Sequence, residues 1–422
     1  MKTISEIKKN YSFLIFQKLL IISILIGFLS SFLAISLKQI TEHYETIFFL
    51  KSQKNWFLLL LFPMFGFSVI YLLREFLFKK KVNKGVREIY EITESTTKNL
   101  PTYKIASHFI NGLLTVIFGG STGIEVSTVV ATATIGSVGQ QKANFFRKYK
   151  TELICAGISA GITALFCSPI AGILFSLEVI SRKATKFFIF TNVIAVTVAS
   201  GFLYILEEKS LFNVNITTWH YHAIPYFILL GLLAGINSVY LTKMVLFLKA
   251  QFAKIEKQYL KIILGGLILS FSIMVFPELY GDGYHALKVI LTEQTTTLST
   301  TFVLSMIGLL ILKPIVTSVT LASGGDGGVF APSIFTGAFL GLILVTFLNS
   351  YFNTNLIPIN FIIIGIAAVL SASIHAPITA LFLTCALIND YTLFFPILVV
   401  SLLSKYTAKF IFPYTVYSYQ KI

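Results

Sequence analysis

Long apolar runs, each ended or interrupted by glycine, proline or a cluster of lysines, constrain this chain more than any other feature. They fall at 11–37, 56–78, 187–205, 223–248, 260–276 and 301–312, with further apolar segments towards the C-terminus. A helix that crosses a bilayer needs about 20 mostly apolar residues, and in hydrocarbon the backbone must satisfy its own hydrogen bonds. The expected fold is therefore all-α and polytopic. Several runs are short or broken, which predicts a compact bundle of tilted and partial helices in place of a row of full-length spans. Only 12% of residues are charged and mean hydropathy is +0.82, whereas soluble domains carry about 25% charged residues. The first run follows a basic stretch, but it is too long for a signal h-region and lacks a small-residue cleavage site, so it reads as a retained helix.

The net charge of +15 concentrates in short hydrophilic connections. Lys2, Lys8 and Lys9 form one group, and Lys79, Lys80, Lys81, Lys84 and Arg87 a second. Lys142, Arg147, Lys148 and Lys150 form a third, and Lys249, Lys254, Lys257 and Lys261 a fourth. The positive-inside rule makes these connections cytoplasmic. Binding to nucleic acid is not expected, because it needs a basic groove interleaved with aromatic residues. Cys155, Cys167 and Cys385 sit in apolar segments and read as small core residues. Neither HExxH nor CxxC spacing occurs, so no metal or other cofactor is expected.

Two glycine stretches, 119–127 and 324–332, align without a gap. Each interrupts an apolar segment and precedes another, as at the broken helices of transporters, whose positive N-terminal ends face a buried ion. Further landmarks recur in the same order, about 200 residues apart. Segment 84–88 answers to 282–286, Gly136 to Gly341, and 168–172 to 376–380. The expected organisation is one transmembrane domain over 1–422, with a first repeat at about 1–206, a join at 207–222 and a second repeat at 223–422. Small-residue spacings at Gly157/Gly161, Gly231/Gly235 and Gly337/Gly341 suit close helix packing.

An anion inside the membrane must exchange its water for other donors. Backbone amides at glycine-opened helix starts provide them without a fixed positive charge, so the ion can leave again. Glu125 is the lone acid in the tract 105–141. An intramembrane carboxylate is a functional hypothesis by default. Beside a helix N-terminus it mimics a bound anion when ionised and can leave when protonated, which makes it a candidate gate.

At these positions the chain resembles the CLC family of chloride channels and chloride/proton exchangers, of the bacterial type without cytoplasmic CBS domains. The family's Gly-Arg-Glu-Gly-Pro motif, which carries the gating glutamate, lines up with 123–127, where the first glycine and Glu125 match. Its Gly-Ile-Phe-Ala-Pro motif appears as 328–332, Pro-Leu-Ala-Gly-Ile-Leu-Phe as 169–175, and Arg-Ala-Pro-Leu-Thr as 375–379. The resemblance implies an inverted repeat, anion-binding amides at Gly328, Val329 and Phe330, further amides at Gly123 and Ile124, and a capping hydroxyl at Tyr417. It also implies a homodimer, embedded in lipid, in the plasma membrane of a bacterium. Lys84 replaces the family's anion-binding serine, so it is a further candidate for anion contact. Val179 stands at the proton-transfer position of the exchangers, next to Glu178. A valine carries no proton, so the expectation is channel-like transport of chloride or a similar small anion, weakly or not coupled to protons. The alternative is a chloride/proton antiporter.

Three other classes fit less well. Gly281-Asp282-Gly283 and Gly325-Asp326-Gly327 suggest the paired aspartates of an intramembrane protease, but the Gly-x-Gly-Asp signature is missing. No Gly-Lys-Ser/Thr follows the glycines, which excludes a P-loop. No arginine stands at the presumed site to clamp an organic carboxylate.

Overall fold

The computed structural model describes residues 4–78, 80, 83–95, 97–142, 148–212, 214–293 and 300–419, and it is all-helical apart from connections and one isolated bridge. Eight α-helices precede the hydrophilic stretch at 207–222: α1 Ile4–Lys54, α2 Trp56–Leu72, α3 Val86–Thr93, α4 Tyr103–Ile117, α5 Glu125–Lys142, α6 Lys150–Phe166, α7 Pro169–Phe175 and α8 Lys186–Ile205. Eight follow it: α9 Ile224–Ala253, α10 Gln258–Val275, α11 Tyr284–Glu293, α12 Thr300–Ser323, α13 Phe330–Phe352, α14 Pro358–Ile374, α15 Pro377–Ile388 and α16 Phe394–Ile411. Among the described residues eight helices are long and apolar enough to cross a bilayer. The chain is an integral, multi-pass membrane protein.

Two helices run past the ends that hydropathy predicts. The first apolar run stops at 37, yet α1 continues to Lys54, because Lys38 meets Glu208 at 2.9 Å and its charge is neutralised. The run at 301–312 ends before a lysine, yet α12 continues through Lys313 and Pro314 to Ser323. The buried Lys313 ammonium donates to the Gly281 carbonyl at 3.2 Å and lies over the Phe335 ring. A paired or stacked cation no longer has to terminate a membrane helix.

The centre is built from two helix crossings that permit no side chain at the contact. On α13 a Cβ at Gly337 would overlap the Gly365 carbonyl of α14, and one at Gly341 would overlap the Phe361 carbonyl. On α5 and α6 the same holds for Gly136 against the Leu153 carbonyl and Gly157 against the Thr132 carbonyl. Small residues let backbones approach, and dispersion then holds helices together where lipid supplies no hydrophobic drive. After each crossing the chain turns alike. α6 ends in left-handed Cys167 (φ 53) and α14 in left-handed His375 (φ 56), and each is followed by a short helix with proline at its start, Pro169 or Pro377. Proline suits that first position because its missing N–H would have no partner there.

Candidate anion pathway

The two glycine stretches meet. Gly123 and Gly328 pair as an isolated antiparallel bridge, and Thr122 reinforces it, since its Oγ1 donates to the Gly328 carbonyl (2.7 Å) and accepts from the Gly328 N–H (2.9 Å). This juxtaposition sets the starts of α5 and α13 face to face. Both approaches are held by matching threonines. Thr115 on α4 accepts from the Asp326 N–H (2.9 Å), and Thr320 on α12 accepts from the Ser121 N–H (3.1 Å). Each threonine hydroxyl also donates back to its own helix, at Asn111 and Val316.

Glu125 opens α5 and is 2% exposed. Its carboxylate folds back over Gly123 and lies against its own amide and that of Ala331 in the first turn of α13. Oε1 accepts from the Tyr284 hydroxyl at 2.6 Å, while Oε2 has no full hydrogen bond among the described residues. The side chain thus occupies the place where two sets of helix-start amides converge. Ile124, Val329 and Phe330 are buried around it, and the Phe330 ring packs 5.5 Å from that of Phe175.

Tyr417 reaches the α13 side of this junction. Thr415 accepts from the N–H groups of Tyr417 (3.2 Å) and Ser418 (3.1 Å), a turn that fixes the segment. The buried hydroxyl stands about one contact distance (3.1 Å) from a Cβ placed on Gly328. It lies beside the Val329 amide but outside hydrogen-bond geometry. Val329 and Tyr417 therefore present donors towards one small region, while the Gly328 N–H, expected from the sequence to face the anion, is engaged by Thr122.

Other residues singled out in the sequence stand elsewhere. Gly85 lies against Val126 near the start of α5, so the backbone beside Lys84 borders the site. The Lys84 side chain does not join it: it is 58% exposed and pairs with Glu91 at 3.3 Å. Val179 is buried within a wider helical turn, Ser176–Ser181, that continues α7. Glu178 from the same turn caps α15, with Oε2 accepting from the Thr379 N–H and hydroxyl (both 2.7 Å) and Oε1 from the Ile378 N–H (3.3 Å). The two aspartates of the protease reading hold separate partners. Asp326 binds His108 (3.0 Å) and Asn83 (2.6 Å), whereas Asp282 caps α11 through the Tyr284 N–H (2.8 Å). Tyr284 has no local signal in the sequence, since its partner lies far along the chain, whereas Thr115 and Thr320 stand at the same offset as the two aligned glycine stretches, a signal that could have found them.

The chain matches the family model described as voltage gated chloride channel over residues 65–409. It is 25% identical over 374 residues to a putative chloride channel protein ClcB-like of Ralstonia nicotianae, covering 84% of this chain and 83% of that protein. It is 26% identical over 322 residues to an H(+)/Cl(-) exchange transporter ClcA of Citrobacter koseri, covering 72% of this chain and 65% of that protein. Among solved structures, a slow cyanobacterial Cl-/H+ antiporter superimposes with TM-score 0.82 at 20% identity, covering 95% of this chain and 96% of the other. A CLC-type fluoride/proton antiporter gives TM-score 0.77 at 22% identity, covering 99% and 98%. With its paired helix starts and its family match, the chain belongs to the voltage gated chloride channel family, the CLC proteins of anion transport.

Proposed function

We propose that the protein carries chloride or a similar small inorganic anion across the membrane in exchange for protons, with Glu125 as the gate. The observation that carries this reading is the position of the Glu125 carboxylate, folded onto amides of both α5 and α13 where an anion would sit. Helix-start amides bind the ionised carboxylate and a halide by the same chemistry, so the two compete. Protonation weakens the hold of the carboxylate, and the anion takes its place. Gly123, Ile124, Val329 and Phe330 would donate backbone amides and Tyr417 its hydroxyl, whereas the Gly328 N–H is held by Thr122. Lys84 would contribute only its backbone neighbourhood.

The channel-like expectation rested on Val179. The names of relatives favour exchange: one curated relative is an H(+)/Cl(-) exchange transporter, and two similar structures are anion/proton antiporters. Coupling in this chain would then run through Glu125, without a carboxylate at position 179. The working unit would be a homodimer in a bacterial plasma membrane, each subunit with its own pathway. Within a subunit, repeats at about 1–206 and 223–422 would flank the join at 207–222.

Liposomes loaded with chloride, with anion and proton fluxes recorded together, test the reading. Uphill proton movement driven by a chloride gradient is the expected result. Chloride flux without proton movement would restore the channel, and vesicles that stay impermeant to small halides would overturn both.

A further inference from the structure

We infer that Tyr284 is a latch for the gate: its hydroxyl holds the ionised Glu125 carboxylate across the anion pathway, and contacts from four other parts of the fold fix where that hydroxyl stands. The inference rests on Glu125 being the gate. At 2.6 Å the Tyr284 to Glu125 contact lies in the range of charge-assisted O–H···O bonds, which are about twice as strong as neutral ones. Such a bond favours the ionised carboxylate over the neutral acid and so opposes opening.

The placement of Tyr284 is over-determined. It is the first residue of α11, and its N–H donates to Asp282 Oδ1. The Asp282 N–H donates in turn to Glu45 Oε1 (3.2 Å) on α1, and the Gly281 carbonyl accepts from Lys313 on α12. Gly283 (φ 86) has no room for a side chain, because a Cβ would come within 2.6 Å of the Phe335 ring of α13. Phe212 meets the Tyr284 ring edge-on at 6.0 Å. The hydroxyl is therefore delivered to Glu125 by a braced loop, and it cannot follow the carboxylate far when the gate moves.

The charged and titratable groups around Glu125 are few. Asp282 from the loop before α11 opposes its charge and Lys313 from α12 favours it, while the Tyr417 hydroxyl stands on the α13 side. None of these donates a hydrogen bond to the carboxylate, so Tyr284 is the side chain that does. A cavity of about 500 Å³ reaches Tyr284, lined by Glu42, Glu45, Asp282, His285 and Lys288 among others. It lies near the end of α10 away from the lysine-rich segment at 249–261.

Tyr284→Phe removes one oxygen and keeps the ring packing. In liposomes, the pH of half-maximal anion flux is expected to move upwards by about one unit, because the neutral gate is then favoured at a pH where the native gate is still ionised. At a pH well above the native midpoint this is about tenfold more flux. Glu125→Gln and the double variant Glu125→Gln/Tyr284→Phe serve as references and should be indistinguishable from each other. A Tyr284→Phe profile that superimposes on the native one, while Glu125→Gln abolishes pH dependence, would overturn the latch and leave the gate standing. Persistent pH dependence in Glu125→Gln would instead overturn the gate. If Tyr284→Phe does not assemble, Tyr284 labelled with fluorine at the ring position beside the hydroxyl gives a second readout. Its resonance should shift with pH in the native background and stay fixed in Glu125→Gln; a shift in both, or in neither, would overturn the latch.

Discussion

The helix start at Glu125 and the helix start at Phe330 are built on one plan and filled differently. Thr115 and Thr320, Gly120 and Gly325, Ser121 and Asp326, and Gly123 and Gly328 keep one constant spacing. Each threonine holds the opposite glycine stretch, and Gly120 and Gly325 each donate to the carbonyl of the threonine in their own half (2.8 and 2.9 Å). The same spacing then pairs Glu125 with Phe330, Thr122 with Gly327 and His108 with Lys313. The shared residues make a frame that points amides inwards twice. The unlike residues place an ionisable carboxyl on one side only, with an apolar ring opposite, which is the asymmetry that the proposed gate requires.

The comparison breaks first if the frame is not equivalent in the two halves. Gly365→Val on α14 and Gly157→Val on α6 each push a branched side chain into a facing backbone carbonyl. Both should cost about 3 kcal/mol or more, read as lost yield and a lower unfolding temperature in detergent. Tolerance of one but not the other would end the equivalence. Next comes the contrast in function: Glu125→Gln should raise flux at alkaline pH to the acid level, while Phe330→Leu should keep the native pH dependence. The sign follows from the charge, since falling pH protonates Glu125 and frees the amides it covers. In liposomes the difference at alkaline pH should be about tenfold for each unit above the native midpoint.

Smaller effects sharpen the same contrast. Glu178→Ala leaves two α15 amides and the Thr379 hydroxyl without their acceptor. It should cost about 2 kcal/mol, without moving the pH profile of flux. Thr115→Val and Thr320→Val should each cost about 1 kcal/mol and match each other in thermal unfolding. Lys84→Ala breaks only an exposed pair, so a change under about 1 kcal/mol is expected, with transport preserved. A large loss of anion affinity in that variant would return Lys84 to the site.

The sequence made the frame legible because its elements are local patterns. Glycines cluster where helices break, prolines stand where they restart, and Glu125 is isolated in an uncharged tract. The contacts that tune the site depend on distant partners. Tyr284 to Glu125 and Glu178 to Thr379 both join segments far apart in the chain, and no periodicity announces them. Hydropathy misplaced the ends of α1 and α12 for the same reason, since Lys38 and Lys313 look like terminators until their partners are known. Lys84 shows the converse. Its motif position suggested a ligand, but a long stem let the ammonium leave for Glu91.

The central claim is that the Glu125 carboxylate stands in an anion's place between amides of α5 and α13, and anomalous diffraction from Glu125→Gln crystals grown in bromide tests it most directly. The account predicts a bromide peak beside the backbone of residues 123–125 and 330–331, with no peak at that place in the native protein at alkaline pH. A variant with no bromide there, or native crystals with bromide and carboxylate side by side, would contradict it.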